Sequence, residues 1–196
     1  GGAAPAGAGG RGGFLGAASV DLTRILFGSP VAAYATVFAG QAALFDGSGD
    51  GPYVVIADDP ALCGMGLLTI SVRARKASAE GGTILNKHVY YNLGVGADSV
   101  DAYVQTDPTC GIDLDVYGMA GIDDTDWHLY EIMYDSRTGE ASLSVDGTVA
   151  ATGTGEGFVR WDPCDPRDLY VGKDPWGATF DGMIDDVVIR DGIAGG

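Results

Sequence analysis

From Ala43 onward the chain is a succession of short apolar or alternating runs broken by Gly, Asp and Pro. The runs are 53–57 (YVVIA), 67–76 (LLTISVRARK), 82–87 (GTILNK), 89–95 (VYYNLGV), 100–106 (VDAYVQT), 112–118 (IDLDVYG), 127–135 (WHLYEIMYD), 141–147 (ASLSVDG), 148–153 (TVAATG), 169–172 (LYVG) and 183–190 (MIDDVVIR). Runs this short, at this regularity, predict the strands of an antiparallel sandwich or barrel and not βαβ units. Asp146-Gly147 between two runs has the positive-φ chemistry of a tight hairpin turn. In 102–105, Ala102 and Val104 alternate with Tyr103 and Gln105, which predicts one face on the core and one at solvent.

The leading segment differs in kind. Residues 1–13 (GGAAPAGAGGRGG) cannot bury enough surface to offset their own entropy and read as a flexible arm, ordered only against a neighbouring chain. Pro30 interrupts the apolar stretch that follows, ahead of a strand-like 31–38 (VAAYATVF), while Leu22, Ile25 and Leu26 have the spacing of one helical turn. The expected organisation is thus an arm and leading strand over 1–42 and one β-domain over 43–196, a length that sustains a single core.

Composition narrows the function classes. The 33 Gly residues favour turns over helices. A formal net charge of −16 makes a nucleic-acid partner unfavourable, and no run reaches the roughly 18 apolar residues of a membrane span. Four acidic residues are Glu (Glu80, Glu131, Glu140, Glu156) and the rest are Asp, which suits turns and hard cations. Cys63, Cys110 and Cys164 match no zinc spacing; either one disulfide, with Cys110–Cys164 the better pair, or three reduced thiols fits the sequence.

Five segments, in order, resemble the laminin-G-like jelly-roll domains of the concanavalin-A-like lectin/glucanase superfamily. They are ALFDGSGDGPYVVIADDPAL, LTISVRARK with GGTILNK, DWHLYEIMYDSRTGEASLSVDGTVAATG, LYVGKD and FDGMIDDVVIRDGIA, together about residues 43–194. The resemblance implies an all-β, two-sheet antiparallel jelly-roll sandwich in which Trp127 fills the space between the sheets and the closing IDDVVI strand lies beside an early one. It also implies a non-enzymatic module at an extracellular, cell-surface or virion location. The opening 42 residues lie outside it.

Catalytic patterns are sparse. A glycosidase needs two carboxylates facing one cleft, yet no Glu has an acidic residue two positions away; the one same-face pair is Asp113 and Asp115, which reads as a solvated face or part of a cation site. His88 and His128 accompany no nucleophile elbow, and no phosphate-binding glycine loop occurs. His128 reads as a strand residue.

Two binding readings remain. Asp46, Ser48 and Asp50, followed by Gly51, look like the first half of a calcium loop, though not an EF-hand, since its twelfth position is Ala57. The resemblance implies a structural Ca2+ joining Asp46 to Asp185 or Asp186; the alternative is an ordinary Asp-rich turn. Segments 160–168 (RWDPCDPRD) and 173–180 (KDPWGATF) combine rings and carboxylates, the materials of sugar binding, which makes Trp161, Trp176, Asp165 and Asp174 candidate ligand residues, unless the two Trp anchor their loops. The expected function is lectin-like recognition of a glycan or surface protein, calcium-stabilised. The alternative is a structural subunit of an extracellular assembly, a phage virion decoration or fibre or a cell-surface layer, whose arm contacts neighbouring copies.

Overall fold

The computed structural model describes residues 42–106, 122–160, 162, 165 and 167–192, and the backbone of 32–37 and 114–119, where Val116 and Gly118 are described in full. The helical turn expected near Leu22–Leu26, the 1–13 arm, Cys110, Asp113, Trp161 and Cys164 lie outside the described residues, as does the side chain of Asp115.

Among the described residues thirteen strands follow in order: β1 (Ala32–Val37), β2 (Ala43–Asp46), β3 (Val54–Ile56), β4 (Leu67–Lys76), β5 (Gly82–Lys87), β6 (Tyr91–Val95), β7 (Ser99–Val104), β8 (Leu114–Met119), β9 (His128–Asp135), β10 (Glu140–Val145), β11 (Thr148–Thr154), β12 (Leu169–Val171) and β13 (Asp181–Asp191). One sheet runs β1-β13-β4-β9-β10-β11, with β2 also on β13; the second runs β3-β12-β5-β6-β7-β8. Every pairing is antiparallel. This is the expected two-sheet jelly-roll sandwich, and its closing strand does lie beside early ones. β1, within the leading segment, pairs along β13 and so belongs to the first sheet.

Period-two alternation builds the core. Leu68, Ile70, Val72 and Ala74 of β4, with Tyr130, Ile132 and Tyr134 of β9, face Leu93, Val95, Val100, Ala102 and Val104 across the sandwich, all buried. In β13 the inward residues Ile184 and Val187 are three apart, a spacing that a regular strand forbids. A register shift between Asp185 and Val188, with Asp186 at φ 48°, absorbs the extra residue and returns Val187 and Ile189 to the core. The predicted hairpin is present, with Asp146 at φ 51° and Gly147 at φ 76°.

Two expectations are corrected. Trp127 does not fill the space between sheets: it immediately precedes β9, whose even-numbered residues point inward, so its ring sits outside under the exposed Arg73 and Arg75. The inter-sheet space is taken by Tyr130 and Tyr134. Gln105 does not meet solvent; β7 ends at Val104, and Gln105 turns inward, 1% exposed, accepting from Arg160 Nη1 at 3.2 Å.

Candidate functional site

The outward face of the second sheet carries a row of polar side chains fixed by strand register. Tyr170 of β12 stands opposite Asn86 of β5, Asn86 opposite Asn92 of β6, and Asn92 opposite Tyr103 of β7. Asn86 is only 3% exposed and Asn92 9%, so this row is lodged in the sheet surface and not freely solvated. Asn86 Nδ2 donates to Asn92 Oδ1 (3.1 Å) and Tyr103 Oη (3.4 Å), and Asn92 Nδ2 donates to Asp101 Oδ2 (3.2 Å).

At the end of this row a cleft of ≈ 270 Å³ opens between His88, Arg167, Asp168, Tyr170 and Pro175. Next to Pro175, Trp176 is 65% exposed, its ring edge-to-face with His88 at 4.2 Å. The loop holding it is stapled: Asp174 Oδ1 accepts the N–H groups of Trp176 and Ala178, both at 2.8 Å. Beneath, Lys87 is fully buried, ion-paired to Asp58 and donating to the Arg167 carbonyl, which fixes the backbone that presents Arg167.

Three buried polar atoms here have no protein partner: Asn86 Oδ1, His88 Nδ1 and Arg167 Nε. Leaving such an atom unpaired costs about 1–3 kcal/mol; His88 and Arg167 line the cleft, and Asn86 lies in the adjoining row. Burial, and secondarily the positive Arg167, hold the His88 pKa below its ordinary value, so the ring is neutral at pH 7 and offers one donor and one acceptor. Burial likewise raises the Tyr103 pKa, keeping its hydroxyl protonated.

A larger hollow of ≈ 670 Å³ lies on the first sheet between Met133, Asp135, Glu140, Ser142 and Thr152. None of the unpartnered buried atoms lies along it, and it lacks an exposed ring, so chemistry favours the smaller cleft.

Of the four residues expected to bind ligand, Trp176 packs on His88 beside the cleft, and Asp174 shapes its loop. Asp165 is engaged in ion pairs with Arg167 Nη2 (2.6 Å) and Arg160 Nη2 (3.6 Å). Trp161 lies outside the described residues. The sequence reading missed Asn86, Asn92, Tyr103 and Tyr170, and took His88 only as weak catalytic material; the signal it lacked was register, which no single strand carries.

The expected calcium ligands do not gather. Strand register sets Asp46 opposite Asp181, leaving Asp185 and Asp186 four and five residues further along β13, about 13–17 Å at strand rise. Asp46 Oδ1 already accepts from Ser48 N (3.0 Å) and Ser48 Oγ (2.8 Å), bonds that lower its pKa, and Asp185 Oδ1 accepts from Asp186 N (2.9 Å). Asp50 is exposed on the same loop. Among the described residues no three His, Cys, Asp or Glu side chains converge as a metal set. The five residues therefore do not fit one cage.

Residues 47–193 match the model of a laminin G domain family within the concanavalin A-like lectin/glucanases superfamily. The chain belongs to this superfamily. No curated protein matches it. Among solved structures, this superfamily domain is similar to domain 4 of an extracellular arabinanase from Geobacillus stearothermophilus in complex with arabinotriose (TM-score 0.57, 18% identity, 84% of this chain and 77% of that one). It is also similar to mouse laminin α1 domains LG4-5 (0.57, 17%, 81% and 42%) and to a Ruminococcus gnavus sialidase carbohydrate-binding module bound to α2,3 sialyllactose (0.56, 12%, 78% and 91%). The chain spans less than half of several structures it matches, the laminin fragment and a botulinum neurotoxin binding domain among them.

Proposed function

We propose that this domain is a non-catalytic, lectin-like module that binds a hydroxyl-rich glycan on the outward face of its second sheet. The observation that carries the reading is the cleft lined by His88 and Arg167, each with an unpartnered buried nitrogen, beside which the exposed ring of Trp176 packs on His88. Sugar hydroxyls both donate and accept, so they serve these atoms, while an indole face stacks on the apolar face of a pyranose. The superfamily, and the glycans named with the arabinanase domain and the sialidase module, support this class of ligand. An extracellular or surface setting accords with the laminin and toxin neighbours, and no helix among the described residues is long and apolar enough to cross a membrane.

A glycan array followed by calorimetry on the best hit tests this. Trp176→Ala is expected to weaken binding roughly 10- to 30-fold while leaving the melting temperature unchanged, as for an exposed binding anchor. No binding across neutral and acidic glycans, or a Trp176→Ala affinity equal to wild type, contradicts it.

Calcium belongs to the reading only at the Asp46 end, where Asp181 stands in register. A melting temperature raised by millimolar calcium, and insensitive to it in Asp46→Asn, supports a cation there; an unchanged melt removes calcium from the account.

A second reading, a subunit of an extracellular assembly, is favoured by edge strand β11 with Val149 57% exposed, and by Leu44 at 63%. Light scattering on the full chain and on a form lacking 1–13 tests it: assembly lost on truncation supports the subunit, and two monomers contradict it.

A further inference from the structure

The cations around the cleft are already matched by carboxylates, and the charge left over is negative. Arg167, the cation in its lining, has Nη2 on Asp165 Oδ1 at 2.6 Å. Asp165 Oδ2 lies 3.6 Å from Arg160 Nη2, which also meets Asp162 Oδ2 at 3.0 Å. Lys87 beneath is paired with Asp58, and Lys173 is turned onto the ring of Tyr53, 4.2 Å from its centroid, outside the lining. His88 is neutral at pH 7, its pKa lowered by burial. Asp168 is different. It directly precedes the buried Leu169 of β12, so it shares the outward parity of Tyr170, and it lines the cleft fully exposed to ligand. Its Oδ1 accepts the Asp58 N–H at 3.0 Å, and it forms no ion pair among the described residues. Asp174, held by the Trp176 and Ala178 N–H groups, sets a second such carboxylate in the neighbouring loop.

We infer that this cleft, resting on the glycan reading proposed above, selects uncharged sugars and rejects acidic ones. Asp168 is the residue that sets the selection, and Asp165 is a positioning residue that holds Arg167 as a donor to hydroxyls. A free guanidinium grips a ligand carboxylate through a two-bond fork. One clasped by Asp165 has an arm of that fork occupied and its charge matched, and what it still offers is N–H groups that sugar hydroxyls accept. A round space of ≈ 270 Å³ is about 8 Å across, inside one Debye length at 0.1 M salt, so a carboxylate anywhere in it meets the field of Asp168. A hydroxyl meets no such repulsion and donates to the same carboxylate.

The test is a microarray of matched pairs, cello-, malto-, galacto- and mannotetraose each printed beside its C6-oxidised uronate, followed by calorimetry of the full chain with the pair that binds best. At about 50 mM NaCl the neutral member is expected to bind at least roughly tenfold tighter than its uronate, and the margin to narrow at about 300 mM as screening shortens the reach of Asp168. Asp168→Asn keeps an Oδ1 acceptor for the Asp58 N–H and is expected to narrow the margin at least roughly fivefold by raising uronate affinity. Glu80→Gln, an equal change of net charge before the far end of β5, leaves the margin as in wild type. Asp165→Asn is expected to raise uronate affinity, and a loss for both members overturns its positioning role. Uronates bound as tightly as their neutral partners and lost in Trp176→Ala, or a folded Asp168→Asn with the wild-type margin, overturn the inference and leave the glycan reading standing. No binding of any probe overturns the inference and counts against the glycan reading with it.

Discussion

His128 lies between two carboxylates: Nδ1 is 2.7 Å from Asp146 Oδ2 and Nε2 is 2.9 Å from Asp124 Oδ1. Burial alone disfavours its cation, but the two carboxylates outweigh burial and hold its pKa above the ordinary 6.5. Both partners are held below 3.8: Asp124 by the His128 bond first, and Asp146, against its burial, by the Leu129 N–H and then His128. A raised histidine pKa stabilises fully below 6.5 and is lost as pH climbs through the raised value, whereas the lowered carboxylates stabilise above 3.8 and are lost as pH falls through their own values. The clamp is therefore strongest from about pH 4 to 6.5. Between pH 6 and 9 the wild-type melting temperature is expected to fall by roughly 2–4 °C more than that of His128→Gln. Parallel pH profiles for the two proteins sink this account of His128.

Two positive-φ glycines separate conformational from steric demands on the elements. Gly147 in the β10–β11 turn has nothing within 4 Å of an added Cβ, so Gly147→Ala pays for positive φ alone, about 1–2 kcal/mol. Gly82 opens β5 at φ 134°, where a Cβ would stand 2.0 Å from the Thr179 carbonyl oxygen. Gly82→Ala must push apart two backbone segments and is expected to cost more than 3 kcal/mol or to prevent folding. Equal urea midpoints for the two variants contradict that ranking. Lys87 sets a different test, because it joins β5 to Asp58 and to the Arg167 backbone under the cleft. Asp58→Ala strands a buried ammonium and is expected to cost about 3 kcal/mol, part of which returns in Asp58→Ala/Lys87→Met. Denaturation of both variants checks this, and a double variant less stable than the single one counts against a stranded Lys87 ammonium as the source of the loss.

For the molecule as a whole, the sandwich was legible because short alternating runs, Asp146-Gly147 and the order of the motifs all agree. The strands over 67–76 and 82–87 match β4 and β5 to the residue. What the sequence did not disclose depends on relations between strands. Trp127 reads as core by size, yet its parity with Tyr130 turns it outward. The resemblance ties Asp46 to Asp185 or Asp186 through one cation, yet register separates them. Trp176 stood out from loop composition, whereas the polar row of Asn86, Asn92, Tyr103 and Tyr170 is visible only when four strands are laid side by side, since each alone is an ordinary strand residue. The measurement that bears most directly on the glycan-binding claim is a backbone and side-chain amide NMR titration with the strongest glycan found on the array. The account predicts shifts concentrated at the Asn86 and Asn92 side-chain amides, the Trp176 indole and the 167–176 segment. Shifts confined to the loops around Asp46, or to the Asp135–Thr154 hollow, would place the ligand elsewhere and contradict it.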